Sequence, residues 1–241
     1  MSIDTDPPTG TPEIHHSHRN VSGGWLRPAV FGASDGLISN FALISGVAGA
    51  HASAHTISVT GIAGLIAGSF SMAAGEWVSV ASQTELTRAE IEIEKHELKH
   101  NAEDEEHELA LMYEAKGLDP QLSREVARQL SVDPEQAWRT HTREELGVDP
   151  DDLPSPWVAA GSSMTAFATG AFIPLMPFLF GAGDLLIAGV LAAVALFILG
   201  AAVSRFTART WWYSGLRQLA VGAVAAGVTF AAGAALGTHL S

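Results

Sequence analysis

The sequence predicts an all-α membrane protein: a bundle of five transmembrane helices with a cytoplasmic helical metal-binding insert between the second and third spans. Three observations carry that expectation. Mean hydropathy is positive (+0.21) although the formal net charge is -13, a combination at odds with an ordinary soluble domain. The charge is segregated: residues 85–152 hold 20 of the 26 acidic and 8 of the 13 basic side chains, so this block alone carries -12. Outside it, five segments are long and apolar enough to cross a ~30 Å hydrocarbon core as helices, at about 29–50, 57–81, 156–180, 183–204 and 211–238. The expected domains are a polar tail (1–28), the first two spans (29–82), the acidic metal-binding insert (83–155) and the last three spans (156–241).

The tail lacks a basic start followed by an apolar core and a small-residue cleavage site, so it is not read as a signal peptide. Its His15, His16 and His18 belong either to a disordered arm or to a weak metal-collecting one. The first span, AVFGASDGLISNFALISGVAGA, holds one acid, Asp35. The second holds one carboxylate, Glu76, and the chain then continues without Pro or Gly as far as Gly117. Those residues are mostly good helix formers, which predicts one unbroken helix leaving the bilayer as a rack of carboxylates. Gly117-Leu118-Asp119-Pro120 reads as a stop. Two short amphipathic helices follow, at 120–130 and 134–146, with Ser123 or Asp133 as N-caps and Gly147 as C-terminal punctuation. Leu122, Val126, Leu130, Ala137 and Leu146 supply their apolar face.

In the third span Pro174 and Pro177 are expected to kink or end the helix. Gly181-Ala182-Gly183 joins it to the fourth as a hairpin, and Trp211, Trp212 and Tyr213 open the fifth, as expected at the headgroup layer. Gly32 and Gly36, Gly64 and Gly68, and Gly233 and Gly237 recur at one-turn spacing, which lets helix backbones approach closely in lipid. A compact bundle follows, with room for a symmetric dimer. With the N-terminus inside, segments 1–28, 82–155 and 205–217 hold all 13 Lys and Arg, so the positive-inside rule places the insert in the cytoplasm and the C-terminus outside.

Two groups of residues carry chemistry. In the insert, Glu90, Glu94 and Glu97 share one helix face at i, i+4 and i+7. Glu105 and Glu108 repeat the i, i+3 spacing, with His96, His100 and His107 interleaved. Like charges on one face repel, and a divalent cation would neutralise them; Lys95 and Lys99 partly alternate with them, as on an ordinary solvated face. Carboxylate with imidazole suits Fe²⁺, Mn²⁺ or Zn²⁺, and the absence of Cys excludes thiolate sites and disulfides. Glu97-x-x-His100 and Asp104-x-x-His107 match half-sites of a di-iron carboxylate centre, although both fall on what reads as one continuous stretch. In the membrane, Asp35 and Glu76 are functional hypotheses by default. Met72 stands one turn before Glu76 and adds a thioether on the same face, so Asp35, Met72 and Glu76 are placed to line one cation path. Glu76 alternatively sits near the cytoplasmic end and reaches water. Asn40, Ser34 and Ser39 either add oxygen ligands or bond to the backbone.

FGASDGLISN in the first span, AGSFSMAAGEWVSVASQTEL in the second and REELGV at the end of the insert resemble the vacuolar iron transporter family across almost the whole chain from about residue 26. The resemblance implies a homodimer of five-helix protomers that moves Fe²⁺, in some members Mn²⁺, out of the cytoplasm by proton antiport. It matches Asp35, Met72 and Glu76 to the transport pathway, and Glu94, Glu97, Glu105, Glu108 and Glu145 to metal ligands of the insert. Two positions depart from the family: Arg27-Pro28 stands where an Arg-Asp pair is common, and His141-Thr142 where some members have Met-Met. His141 is then a harder ligand, which leaves Fe²⁺ against Mn²⁺ open.

The expectation is therefore a transporter rather than an enzyme, exporting divalent metal against protons. It has no tightly bound cofactor and no nucleic-acid partner. The compact loops and the Ala/Gly/Arg-leaning composition point to a bacterial plasma membrane. The rivals are a membrane-anchored metal buffer or sensor and a di-iron ferroxidase.

Overall fold

The computed structural model describes residues 24–207 and 209–240; the His15, His16 and His18 tail lies outside the described residues. The described chain is helical, with no strand among the described residues. In order come α1 (Leu26–Gly49), α2 (Ala54–His100), α3 (Ala102–Ala115), α4 (Pro120–Leu130), α5 (Pro134–Glu145), α6 (Pro156–Leu179), α7 (Leu185–Val203) and α8 (Trp211–Leu240), with a 3₁₀ turn at Ser204–Phe206. Five of them, α1, α2, α6, α7 and α8, are long and apolar enough to cross a membrane.

Small residues set how these five pack. A Cβ on Gly32 would stand 2.6 Å from the Ser163 carbonyl oxygen, and one on Gly36 would overlap the Phe167 carbonyl. Gly170 meets the Ala33 carbonyl as closely from the other side. The same seam continues one turn further on, where Asn40 Nδ2 donates to Ala171 O at 2.7 Å. Positions 32, 36 and 40 thus meet 163, 167 and 171, so α1 and α6 run parallel. Ser34 and Gln218 are hydrogen-bonded, and Ala50 meets Gly237, so α8 is parallel to α1 as well. Gly61 faces Ile44, and Gly64 faces Asn40, so α2 runs the opposite way. Up-down-up-down-up follows, with α1 central.

Where helix α1 ends and α2 begins, Ile44, Ile57, Leu175, Phe178 and Ala188 form a buried apolar cluster. Helix α6 passes through both Pro174 and Pro177 and stops at Leu179, two residues beyond the second; neither ends it outright. Hydroxyls in the spans bond back to carbonyls one turn earlier, as Ser45 to Phe41 O (2.7 Å) and Ser69 to Leu65 O (2.6 Å). That disposes of polar groups that hydrocarbon cannot solvate. Leu186, Val190, Val194 and Ile198 on α7, and Val221, Val224 and Val228 on α8, point outward.

Beyond the bundle α2 keeps going, its 47 residues making a rod of about 70 Å at 1.5 Å per residue. It does not reach Gly117. The helix breaks at Asn101 (φ -129°, ψ 38°), whose side chain donates to Glu97 Oε2 at 2.5 Å while its carbonyl accepts from Asp104 and Glu105 N–H. A short polar side chain that competes for neighbouring groups is enough to interrupt a run of helix formers. Helices α3 and α4 close over Leu109, Ala110 and Ala127. The cap of α4 is Asp119, which accepts from Gln121 N at 2.9 Å, whereas Ser123 is buried within the helix. Asp133 caps α5, as expected, accepting from Glu135 N at 3.0 Å. Leu122 is exposed, so the apolar face of α4 is rotated toward Ser123 and Ala127. Gly117 and Gly147 take φ values of +98° and +67°, the left-handed region where glycine meets no steric cost.

The α1–α6 seam makes a direct prediction. Gly36→Ala should lower stability by about 1–3 kcal/mol through overpacking, seen as an earlier thermal unfolding midpoint in detergent. Gly161→Ala, whose Cβ would meet nothing within 4 Å, should leave the midpoint unchanged.

Candidate metal centre and intramembrane cavity

The insert brings three ligand-type side chains from three helices together. Glu94 on α2, Glu105 on α3 and His141 on α5 each offer an atom lying within 4.8 Å of the others. His141 Nδ1 stands 3.0 Å from Glu94 Oε1 and 3.6 Å from Glu105 Oε2. The side chains are 0%, 10% and 12% exposed for His141, Glu94 and Glu105. Neither ring nitrogen of His141, nor Glu94 Oε1, has a hydrogen bond of acceptable geometry among the described residues. Buried polar atoms left in that state call for a partner. Two carboxylates and an imidazole form a donor set of the kind that suits Fe²⁺, Mn²⁺ or Zn²⁺.

The break at Asn101 makes this arrangement possible. On one straight helix, residues 94 and 105 share a face but stand roughly 16 Å apart along the axis. Turning the chain at Asn101 lets α3 bring Glu105 back toward Glu94. Electrostatics reflect the crowding. The His141 ring holds the Glu94 carboxyl below its usual range, against the opposing effect of burial. Burial first, then the Glu94 charge, raises Glu105. Glu145 is pushed up to about 7, first by burial and then by its hydrogen bond to Glu94. Of the six expected ligands, Glu94, Glu105 and His141 therefore converge and Glu145 adjoins Glu94. Glu97 is half-buried and engaged by Asn101, while Glu108 is exposed and near enough for its charge to act on Glu105.

Within the bundle, a cavity of about 280 Å³ is lined by Asp35, Ser39, Asn40 and Leu43 of α1, Gly64, Gly68, Ser71 and Met72 of α2, and Phe167 of α6. Asp35 and Met72 thus share one space. Glu76 does not line it; its neighbour Trp77 packs edge-on against Trp157 at 5.6 Å, at the end of the bundle that meets the insert. A larger cleft of about 770 Å³ between α1, α6 and α7 has no ionisable side chain in its lining. The di-iron half-sites do not meet. His100 stacks on His96, with ring centroids 4.1 Å apart, whereas His107 faces clefts beside α3 and α4.

Fold and site together describe a five-helix integral membrane protein with a helical insert after its second span. The sequence profile of the VIT family matches residues 26–234. Vacuolar iron transporter 1 of Arabidopsis thaliana is 32% identical over 233 residues, covering 95% of this chain and 93% of its own. The vacuolar iron transporter of Acanthamoeba castellanii is 39% identical over 161 residues, 66% of this chain but 58% of that protein. That of Toxoplasma gondii is 28% identical over 238 residues, 94% of this chain and 79% of its own. The chain belongs to the VIT family. These relatives are named as transporters and as vacuolar, so they lend no support to the expected bacterial plasma membrane or to a ferroxidase.

Two outcomes follow for the metal centre. His141→Ala should weaken Mn²⁺ binding by the detergent-solubilised protein by at least the ~10–100-fold that even outer-sphere substitutions cost, as read by titration calorimetry. Cations compete with protons for carboxylates, and Glu145 is pushed up to about 7. Affinity should therefore rise as pH increases through about 7 and fall below it, and calorimetry repeated in buffers on either side reads the change.

Proposed function

We propose that this chain carries divalent metal, Fe²⁺ first and Mn²⁺ as a second cargo, out of the cytoplasm in exchange for protons. The observation that carries the reading is the arrangement along α2. One helix bears Glu94 of the buried three-ligand cluster near its C-terminal end outside the bundle and Met72 of the cavity shared with Asp35 midway along it, with Glu76 between them. The names of the relatives, vacuolar iron transporters over most of this chain, favour iron. The insert lies on the cytoplasmic side because all 13 Lys and Arg fall on that side of the five spans.

In this mechanism the insert captures metal through Glu94, Glu105 and His141, with Glu145, Glu97 and Glu108 adding negative potential around them. Glu76 receives the ion where the rod meets the bundle, and Asp35 with Met72 holds it midway. A carboxylate suits exchange because proton and metal compete for the same oxygens, so protonation of Asp35 from the far side releases the cation. An acid at this depth has to face protein or water rather than lipid tails. A second copy laid against the outer face of α1 and α2, where Phe31, Leu43, Ile66 and Phe70 are exposed, would cover the cavity, which supports a homodimer. Because the three-ligand cluster lies wholly in the insert, a membrane-anchored buffer is the second reading.

Proteoliposomes with a metal-sensitive dye inside and an imposed pH gradient separate the two. Fe²⁺ or Mn²⁺ entry should follow the gradient and vanish in Asp35→Ala without loss of assembly. Metal binding with no flux would assign a buffer instead.

A further inference from the structure

Three oxygen-bearing side chains stand near Asp35 on α1, and their partners separate them. Ser34 Oγ accepts from Gln218 Nε2 at 3.2 Å. Ser39 Oγ donates to the Asp35 backbone carbonyl at 2.5 Å. Asn40 differs from both. It is 2% exposed, its Nδ2 is committed to Ala171 O at 2.7 Å, and its Oδ1 has no hydrogen-bond partner among the described residues.

The bond to Ala171 also decides which way the amide faces. With Nδ2 turned to α6, Oδ1 is turned to α2, where it stands 2.9 Å from the place a Cβ on Gly64 would occupy. Asn40 and Gly64 both line the cavity that holds Asp35 and Met72. A buried amide oxygen left unpaired is costly and rare enough to need a reason. Here the reason is at hand, because that oxygen borders a space already furnished with a carboxylate and a thioether.

We propose that Asn40 Oδ1 is a direct ligand of the transported divalent cation, completing with the Asp35 carboxylate and the Met72 thioether a three-donor intramembrane site. The proposal rests on the transport reading above and gives its midway station a ligand set in which Glu76 has no part. The chemistry suits a first-row divalent ion: two oxygen donors hold Fe²⁺ or Mn²⁺, and the sulfur favours them over Mg²⁺ or Ca²⁺. An amide oxygen coordinates without adding charge. The site therefore carries a single negative charge, and one proton on Asp35 discharges it completely. A second carboxylate in place of Asn40 would retain the ion after that protonation. Gly64 has a matching role, since any larger residue would cover Oδ1 with carbon.

The alternative is that Asn40 only pins α1 to α6, and the substitutions are chosen to tell the two apart. Asn40→Leu removes both pin and ligand. Gly64→Ala keeps the Asn40 amide and its donor to Ala171 but places a methyl 2.9 Å from Oδ1 and 2.6 Å from Leu43 Cδ2, so those side chains must give way. Asn40→Asp keeps an oxygen and adds charge but, like Asn40→Leu, loses the donor to Ala171 O. Mn²⁺ and Fe²⁺ flux into proteoliposomes gives KM and kcat for each. Equilibrium Mn²⁺ binding in detergent, on a His141→Ala background that weakens the insert site, reads the intramembrane site even if no ion moves.

Asn40→Leu and Gly64→Ala should each raise KM and the Mn²⁺ dissociation constant by about 10–100-fold, with the elution volume of Gly64→Ala unchanged and its melting point lowered less than that of Asn40→Leu, which loses the bond to Ala171. Asn40→Asp should lower both KM and kcat. If Gly64→Ala binds and moves metal as the unsubstituted protein does while Asn40→Leu and Asn40→Asp, which both lose the donor to Ala171, fail alike with raised KM, Asn40 is a pin and the proposal is overturned. Failure of the transport reading looks different: the unsubstituted protein moves no metal, or Asp35→Ala moves it normally, and the binding measurement still decides the role of Asn40.

Discussion

Backbone contact between α1 and α6 is the constraint on which the other placements depend. In lipid there is little hydrophobic gain in bringing two apolar helices together, so close association relies on van der Waals contact and interhelical hydrogen bonds. Gly32, Gly36 and Gly170 supply the first by removing every atom that would hold the axes apart. Asn40 supplies the second by bonding to Ala171 O. Because the contact recurs every fourth residue on both helices, it fixes the rotation of α1 as well as its distance. With Gly36 turned to α6, the residue before it is turned about 100° away. That rotation carries Asp35 out of the α1–α6 seam and into the cavity shared with α2.

Helix α2 then extends this geometry out of the bundle. A single rod carries Met72, Glu76 and Glu94 in fixed register, so the position of the insert relative to the cavity is set by helix geometry up to residue 100. The register is first interrupted at Asn101, where the backbone leaves the helix for one residue. Helix α5 meets the rod through Trp138, whose ring lies under Lys95 Nζ at 4.4 Å, while Arg139 of the same helix flanks that ring at 4.7 Å. The same helix presents His141 to Glu94, so the Lys95–Trp138 contact and the candidate ligand cluster reinforce one placement.

The spans were legible because a bilayer dictates length and apolarity, and the glycine pairs were legible because close packing repeats at one turn. All three pairs prove to be contact points: Gly36 on Phe167, Gly68 on the Phe167 ring and Gly233 on Gly46. The break at Asn101 was not legible, since one Asn in a run of Glu, Lys and Ala costs a helix little by propensity and interrupts it through side-chain hydrogen bonds instead. Nor was the choice of cap, where Asp119 and Ser123 differ only in whether they precede or follow Pro120. The convergence of Glu94, Glu105 and His141 was beyond spacing arguments, because it depends on how α5 docks, and docking is a tertiary event. Glu76 and Asp35 look alike as lone acids in apolar runs, yet only Asp35 lines the cavity, because its helix face is fixed by the seam with α6.

The insert is also a charge problem that its own bonds solve only in part. Tyr113 and Lys116 engage Glu144, and Arg139 and Arg143 reach Asp151 and Asp149. These pairs lie toward the surface, where ion pairs contribute little. The basic residues are thus spent away from Glu94, Glu105 and Glu145, and no Lys or Arg pairs with those three among the described residues. Burial first, then the hydrogen bond to Glu94 and the neighbouring negative charges, pushes Glu145 up to about 7, so a proton there offsets part of the charge crowding. A divalent cation would relieve the same repulsion more completely and displace that proton. Under the transport reading proposed above, metal and proton would be alternatives already at the insert, and the same competition would recur at Asp35 within the bundle.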